Sequence, residues 1–367
     1  MKSPRTPSPA VIALSPQHRM SPQIAIGACR AGGLGLLDLG IRGLDPQAKQ
    51  AVAELARANG TAKSWGLRCD LFDDACTTLS SLGKRVGLAG QAPVLLLAGV
   101  RPGELQLACG LARGLARTVY LEVGSLREAL DAQRAGYDGL VAKGNEAGGR
   151  VGQRSAFMLA QEFAGKLKIP YWIQGGIGVH SAAAVVLSGA AGVVLCEQLW
   201  LTAEAPAATG GAGWAMLDGS ETALAGAPDT PYRCFSRSGR AKLRELELAV
   251  ARAGPATGRL AAGNLVRPDD GVLACRPGYR VAGPYGQGGC TWDASLTAVA
   301  SGIASGLAAG CCPTPPFALA ATGSAAHVHT TRFRIARGRD VPRQRTSHRV
   351  AAAPRRGGRT CPSSRWP

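Results

Sequence analysis

Eight apolar β-runs alternate with helical segments over residues 9 to 205, and they predict an α/β protein, a closed (β/α)8 TIM barrel. Two glycine-rich loops, at 144–152 and 175–178, follow neighbouring runs, and in a parallel barrel the loops after the strands gather round one mouth. Beyond about residue 201 the alternation stops. The chain is therefore expected to divide into a barrel over 1–205, a linker with a small helical extension over 206–253, and an Arg/Ala/Gly/Pro-rich tail over 254–367 that is either disordered or the product of a shifted reading frame.

Val11 to Ser15 reads as the first strand and stops at Pro16; Pro22 to Arg30 follows as a helix, with Pro at its start where a missing N–H is harmless. Gly33 to Leu39 is the second strand. Asp45-Pro46 opens an amphipathic helix from Ala48 to Ala58, with Asp45 as its N-cap and Asn59-Gly60 as its stop. Lys63 to Cys69 is the third strand. Pro93 to Ala98 is continuously apolar, as a strand buried on both faces must be, and a helix from Glu104 to Leu115 follows it. Thr118 to Val123 is the fifth strand, and Ser125-Leu126-Arg127-Glu128 is a capping box for a helix that ends at Gly136. The sixth strand is 138–142, with a helix from Ser155 to Leu167. Ile169 to Gln174 is the seventh, with a helix from about Ser181, and Ala191 to Leu195 is the eighth. A charged helix is expected from Arg240 to Arg252.

Composition narrows the class to a soluble, globular chain: 46% of the 367 residues are hydrophobic, ample for a core. The formal charge of +18 would suggest a nucleic-acid partner until it is located. From Gly254 onward there are 15 Arg and no Lys against 4 Asp and no Glu, so +11 lies in the tail and +7 in the rest. No specific nucleic-acid partner is expected. The stretch 294–331 lacks the sustained apolar character of a membrane span, so no membrane partner is expected either. Eleven Cys without a C-x-x-C pair, and no His at zinc spacing, argue against a disulfide framework or a metal site; a reducing cytoplasm is the expected location.

The first glycine loop, Lys143-Gly144-Asn145-Glu146-Ala147-Gly148-Gly149-Arg150-Val151-Gly152, has lost side chains where something large must sit. Its glycines permit positive φ and leave amides to bond an anion, a carbonyl or a ring edge; the plainer alternative is a solvent-exposed turn. The second loop, Gly175-Gly176-Ile177-Gly178, opens a helix, the usual place for a phosphate.

These loops, with Ala31-Gly32-Gly33-Leu34-Gly35, resemble in sequence and order the nitronate monooxygenase family, also called 2-nitropropane dioxygenases. The loop with Arg after its paired glycines is most similar to the nitronate monooxygenase-like domain at the start of some bacterial modular polyketide synthases. The resemblance implies an FMN-dependent barrel that oxidises nitronate-type anions with O2 and uses no metal. It also implies a small-molecule or acyl-thioester substrate, with other polyketide synthase domains as partners. A flavin-dependent enoyl-thioester reductase, or a non-catalytic synthase scaffold with a decayed flavin site, are the alternatives.

By the same resemblance, Gly175, Gly176 and Ile177 hold the FMN phosphate, with Cys196 and Glu197 where the family has a small Gly-Thr or Gly-Ser turn. Gly144, Glu146, Ala147, Gly148 and Gly149 pass along the isoalloxazine or substrate, Lys143 faces the flavin N1–C2=O edge, and Ser15 joins the cofactor set. Glu146 reads either as a structural acceptor for nearby amides or as a base. Arg150 stands where the family places a His base; a guanidinium takes no proton but can hold an anion. Arg150 and His18 are the catalytic candidates, His18 as a replacement base or else a solvated loop residue, and His180 lies near the phosphate end. Cys29 and Cys69 read as small core residues.

Overall fold

The computed structural model describes residues 10–16, 21–41, 47–60, 62, 64–71, 75–88, 90–202, 204–205, 222–227 and 230–235. His18, Asp45, the expected helix over 240–252 and the tail from 254 lie outside them. In chain order the elements are β1 (Val11–Leu14), α1 (Pro22–Arg30), β2 (Leu34–Ile41), α2 (Ala48–Asn59), β3 (Trp65–Asp70), α3 (Ala75–Val86), β4 (Ala92–Ala98) and α4 (Leu105–Leu115). There follow β5 (Ala116–Val123), α5 (Leu126–Ala135), β6 (Gly139–Lys143), the short β7 (Gly149–Arg150), α6 (Ala156–Phe163), β8 (Tyr171–Gln174), α7 (Val179–Leu187), β9 (Gly192–Leu195), β10 (Thr222–Ala227) and β11 (Thr230–Phe235).

Eight parallel strands, in the order β1-β2-β3-β4-β5-β6-β8-β9, close into a barrel, with Ile12 of β1 opposite Val194 of β9 at the seam. The fold is the (β/α)8 barrel that the alternation predicts. Strand side chains alternate between two cores. Leu67, Leu95, Leu97, Val119 and Ile173 point outward and pack with the helices, whereas Leu14, Leu36, Leu96, Tyr120, Val141 and Trp172 fill the interior. Tyr120 and Trp172 lie 4.9 Å apart, ring to ring, and a Cβ at Gly139 would come within 2.9 Å of both rings. Glycine on β6 therefore makes room for two large rings in one layer. Truncating Trp172 to Ala would cost about 3–5 kcal/mol.

Helix ends follow their local chemistry. Ser125 caps α5 by accepting from the Glu128 N–H at 3.3 Å, while the Glu128 carboxylate accepts from the Gly124 N–H at 2.7 Å and Gly136 ends the helix at φ 91°. Ser155 caps α6 through the Met158 N–H. The sequence reading passes over α3, because Thr77, Thr78, Ser80, Ser81 and Gly83 are weak helix formers; packing of Ala75, Thr78, Leu79, Leu82 and Val86 at helical spacing decides it. Within the stretch read as linker and helix, β10 and β11 form an antiparallel hairpin, and β11 pairs with β7 in a separate sheet.

Among the described residues no helix is long and apolar enough to cross a membrane, and no group of His, Cys, Asp and Glu has the arrangement of a metal site. Cys69 is buried on the outward face of β3, and burial pushes its thiol up to about 12, with Asp70 and Asp38 adding to the shift. That suits the core role read from its position. Cys29 is half-buried and donates to the Ser64 carbonyl.

Candidate active site at the barrel mouth

At the carboxyl ends of the strands the interior turns from apolar to ionic. Asp38 of β2, Arg68 and Asp70 of β3, Glu122 of β5, Lys143 of β6 and Gln174 of β8 continue the inward-facing parity of Leu36, Gly66, Tyr120, Val141 and Trp172. Arg68 is the hub. Its Nη1 lies 3.0 Å from Asp38 Oδ2, its Nε 3.1 Å from Glu122 Oε2 and its Nη2 3.5 Å from Asp70 Oδ2. Lys143 Nζ lies 3.2 Å from Glu122 Oε1, and Arg150 Nη2 3.6 Å from Asp70 Oδ1. Three cations thus face three carboxylates.

Burial alone would push Glu122 up, but Arg68, Lys143 and Arg150 hold its carboxyl down to about 2. Burial likewise opposes the charge on Arg68, and the Glu122, Asp38 and Asp70 carboxylates overcome it, holding the guanidinium well above its usual range. Removing one charge from such a buried set costs about 3–5 kcal/mol.

The expected site residues divide by what they touch. Ser15 is fully buried, and its Oγ accepts from the Asp38 N–H at 2.8 Å, so it seams β1 to β2. Lys143, expected at a flavin edge, is turned to Glu122, because a buried ammonium needs a carboxylate more than a carbonyl. Gly144 donates to the Gln174 carbonyl at 2.8 Å, which ties the two glycine loops together. A Cβ there would meet the Ala156 nitrogen at 2.3 Å and Glu146 Oε2 at 2.4 Å. Glu146 Oε2 accepts from the Ala156 N–H at 2.9 Å, the structural of its two readings. Ala147, Gly148 and Gly149 are buried beneath the hairpin side of the loop, with Gly149 at φ 72°.

Arg150 reaches across the mouth from β7 to the end of β3. It passes over Gly99, where a Cβ would come within 2.5 Å of its Nη2 and 2.6 Å of Asp70 Oδ1. In the second loop Gly175 and Gly176 have φ 120° and 61°, and the Gly178 N–H is taken by Ser181 Oγ. The N–H groups of Gly176 and Ile177 have no partner among the described residues. Gln198 bridges this loop to the one after β9, donating to the Ile177 carbonyl at 2.8 Å and accepting from the Cys196 N–H at 3.4 Å. The Cys196 side chain joins the barrel interior, and Glu197 is half-buried at the start of the turn 197–201. His180 begins α7 on the backbone.

Sequence reasoning overlooked Asp38, Arg68, Asp70, Glu122 and Gln174. Their signal was available: each is a polar residue at an inward position of an otherwise apolar strand. Gln174 stands apart from the lattice. Both atoms of its carboxamide, Oε1 and Nε2, are buried without a hydrogen-bond partner, between the two glycine loops.

A closed parallel barrel whose polar side chains gather at the carboxyl ends of the strands, beside two glycine loops, defines the (β/α)8-barrel class. The particular likeness lies in residues 113–211, which carry both loops and match the family model for nitronate monooxygenase. Among solved structures the chain is similar to FabK from Thermotoga maritima, at 18% identity and a TM-score of 0.64, covering 83% of this chain and 94% of that one. It is also similar to a nitroalkane oxidase from Streptomyces ansochromogenes, at 18% identity and a TM-score of 0.58, covering 81% and 96%. At such identities the likeness carries the fold. No curated protein matches the sequence.

Proposed function

We propose that the chain is an FMN-dependent oxidoreductase of the nitronate monooxygenase type, acting on nitronate-type anions with O2 as the oxidant. Gln174 carries the reading. A buried carboxamide with neither its donor nor its acceptor satisfied costs about 1–3 kcal/mol for each group, so a ligand is its natural partner. It offers a donor and an acceptor in one plane, the complement of a heterocycle edge such as that of the flavin pyrimidine ring.

The residues fit FMN at its other end too. Gly176 and Ile177 present N–H groups at the opening of α7, where an anion is favoured, and would hold the phosphate. When bound, FMN supplies the two-electron transfer and the reaction with O2. The chain's own contribution is binding and orientation. Arg150 lies 3.6 Å from Asp70, longer than a tight charge-assisted bond, and can exchange that carboxylate for the anionic head of a substrate. It remains protonated throughout, so the substrate that suits the site arrives already ionised. A polyketide synthase setting, with neighbouring synthase domains as partners, belongs to this proposal and rests on the Gly-Asn-Glu-Ala-Gly-Gly-Arg loop.

The visible spectrum of the purified protein, before and after loading with FMN and desalting, tests the reading. Retained bands near about 370 and 450 nm support it, and a colourless protein that fails to hold added FMN overturns it. A second reading, reduction of an enoyl thioester, draws on the pairing of Lys143 and Arg150 with carboxylates, which serves an uncharged substrate as well as an anion. Bleaching of bound flavin by NAD(P)H rather than by a nitronate would select it.

A further inference from the structure

The hairpin after the barrel grips the first glycine loop at several points. Gly149 and Arg150 pair in antiparallel register with Arg233 and Tyr232, and the Val151 N–H donates to the Pro231 carbonyl at 2.9 Å. The Arg233 side chain then forks. Its Nε donates to the Asn145 carbonyl, 88 residues away, and its Nη1 donates to Thr222 Oγ1 at 3.0 Å on the facing strand. One side chain thus ties the start of the loop to both strands of the hairpin, while the backbone of β11 holds the loop's end.

We propose that Arg233 is a positioning residue of the barrel-mouth site and that the 222–235 hairpin is a built part of that site, clamping loop 145–151 so that Arg150 is aimed over Gly99 at Asp70. Two observations make this more than surface packing. Among the described residues the clamped segment carries the one cation of the ionic lattice that does not come from a barrel strand, and its glycines give it no side-chain anchor of its own between Ala147 and Arg150. A segment of that composition samples many conformations unless its backbone bonds are fixed elsewhere. Within the loop the Asn145 N–H donates to the Arg154 carbonyl and the Ala147 N–H to the Gly144 carbonyl; the Asn145 carbonyl and the ladder of β7 are where the hairpin adds its hold. A guanidinium suits the task because its planar fork reaches two acceptors at once, which an ammonium on a flexible stem does not.

The inference takes the site from the function proposed above but can be judged without it. In the full chain, Arg233→Ala is compared with wild type by hydrogen exchange of the peptide spanning 145–154, with peptides from β3 to β5 as the internal reference. Exchange in the loop peptide is expected to rise about tenfold or more, as loss of charge-assisted bonds to a carbonyl would give, with the reference peptides unchanged. Arg233→Lys, which retains a donor for Asn145 and gives up the fork, should fall between the two. Thr222→Val, at the edge of the hairpin, should loosen the same peptide by a smaller factor and guards against a misfolded alanine variant. FMN affinity, followed by flavin fluorescence, should weaken in the same order as the exchange rises. Unchanged loop exchange in both Arg233→Ala and Thr222→Val overturns the clamp, as does a rise shared equally by the reference peptides. If wild type holds no FMN, the flavin reading fails, and the exchange measurement alone still decides the clamp.

Discussion

Arg68 and Glu122 meet fork to fork, Nε to Oε2 at 3.1 Å and Nη2 to Oε1 at 3.4 Å, although β4 stands between their strands in the barrel wall. The pair bridges over the end of β4 on the inner side of the wall. It therefore works as a cross-brace at the mouth, in the two-bonded geometry that makes an Arg–carboxylate contact strong.

Glu122→Gln should destabilise the fold by about 3–5 kcal/mol, since it leaves Arg68 and Lys143 buried beside a neutral group. The acid dependence has a definite sign. The Glu122 carboxyl is held down to about 2 in the folded chain against an ordinary 4.5, so its contribution is fully present above that ordinary value and is lost as pH falls through about 2. Acid unfolding of the variant should lose this component of its pH slope, which chemical denaturation at a series of pH values would read.

Gln174→Leu should separate stability from binding. Replacing an unsatisfied buried carboxamide by an apolar group of similar size removes its desolvation cost, so thermal stability should hold or rise by about 1 kcal/mol. Flavin affinity, titrated by fluorescence, should fall about tenfold or more for the loss of two hydrogen bonds.

Gly144→Ala should damage the site through the backbone. Its Cβ would sit 2.3 Å from the Ala156 nitrogen and 2.4 Å from Glu146 Oε2, so the first turn of α6 and the loop must part. A cost of about 1–3 kcal/mol is expected in urea unfolding, together with loss of flavin retention.

Arg150→His should widen the substrate range. A His at this place has an unperturbed pKa near 6.5 and can take a proton, which a guanidinium cannot. Oxidation of neutral nitroalkanes should then appear and rise with pH through that value, while turnover of pre-ionised nitronates falls. Rates measured across pH 5 to 9 in both substrates would check it.

Glu197→Gly should tighten FMN. A carboxylate near an anion at a partly exposed site costs about 1 kcal/mol, so a gain of about fivefold in affinity is expected from the same fluorescence titration.

Most of the barrel could be read along the chain because its outward and inward cores both demand apolar strands, and runs such as Pro93 to Ala98 have no other use. The two loops were legible for a similar reason: glycine is costly in a fold unless space or φ requires it, as at Gly144 and Gly176. The ionic lattice was harder to foresee. Arg68, Asp38 and Glu122 lie 30 and 54 residues apart, and only the lateral pairing of β2 to β5 brings them to one point. Lys143 showed the same limit, since its partner is set by the strand before it in the wall and not by the loop it precedes. The hairpin escaped because Thr222 to Phe235 is too short and too mixed to announce strands without β7 to pair with.

The 88 residues between Asn145 and Arg233 also set an order of events during synthesis. At about 5–20 residues per second, the ribosome delivers the clamp roughly 4–18 s after the loop it must hold. The eight-stranded wall is complete by Leu195, so a nascent chain can close its barrel while the mouth loop still waits for β11. Maturation of the mouth thereby follows closure of the barrel, and a chain interrupted between these two points would carry a finished barrel around an unfinished pocket.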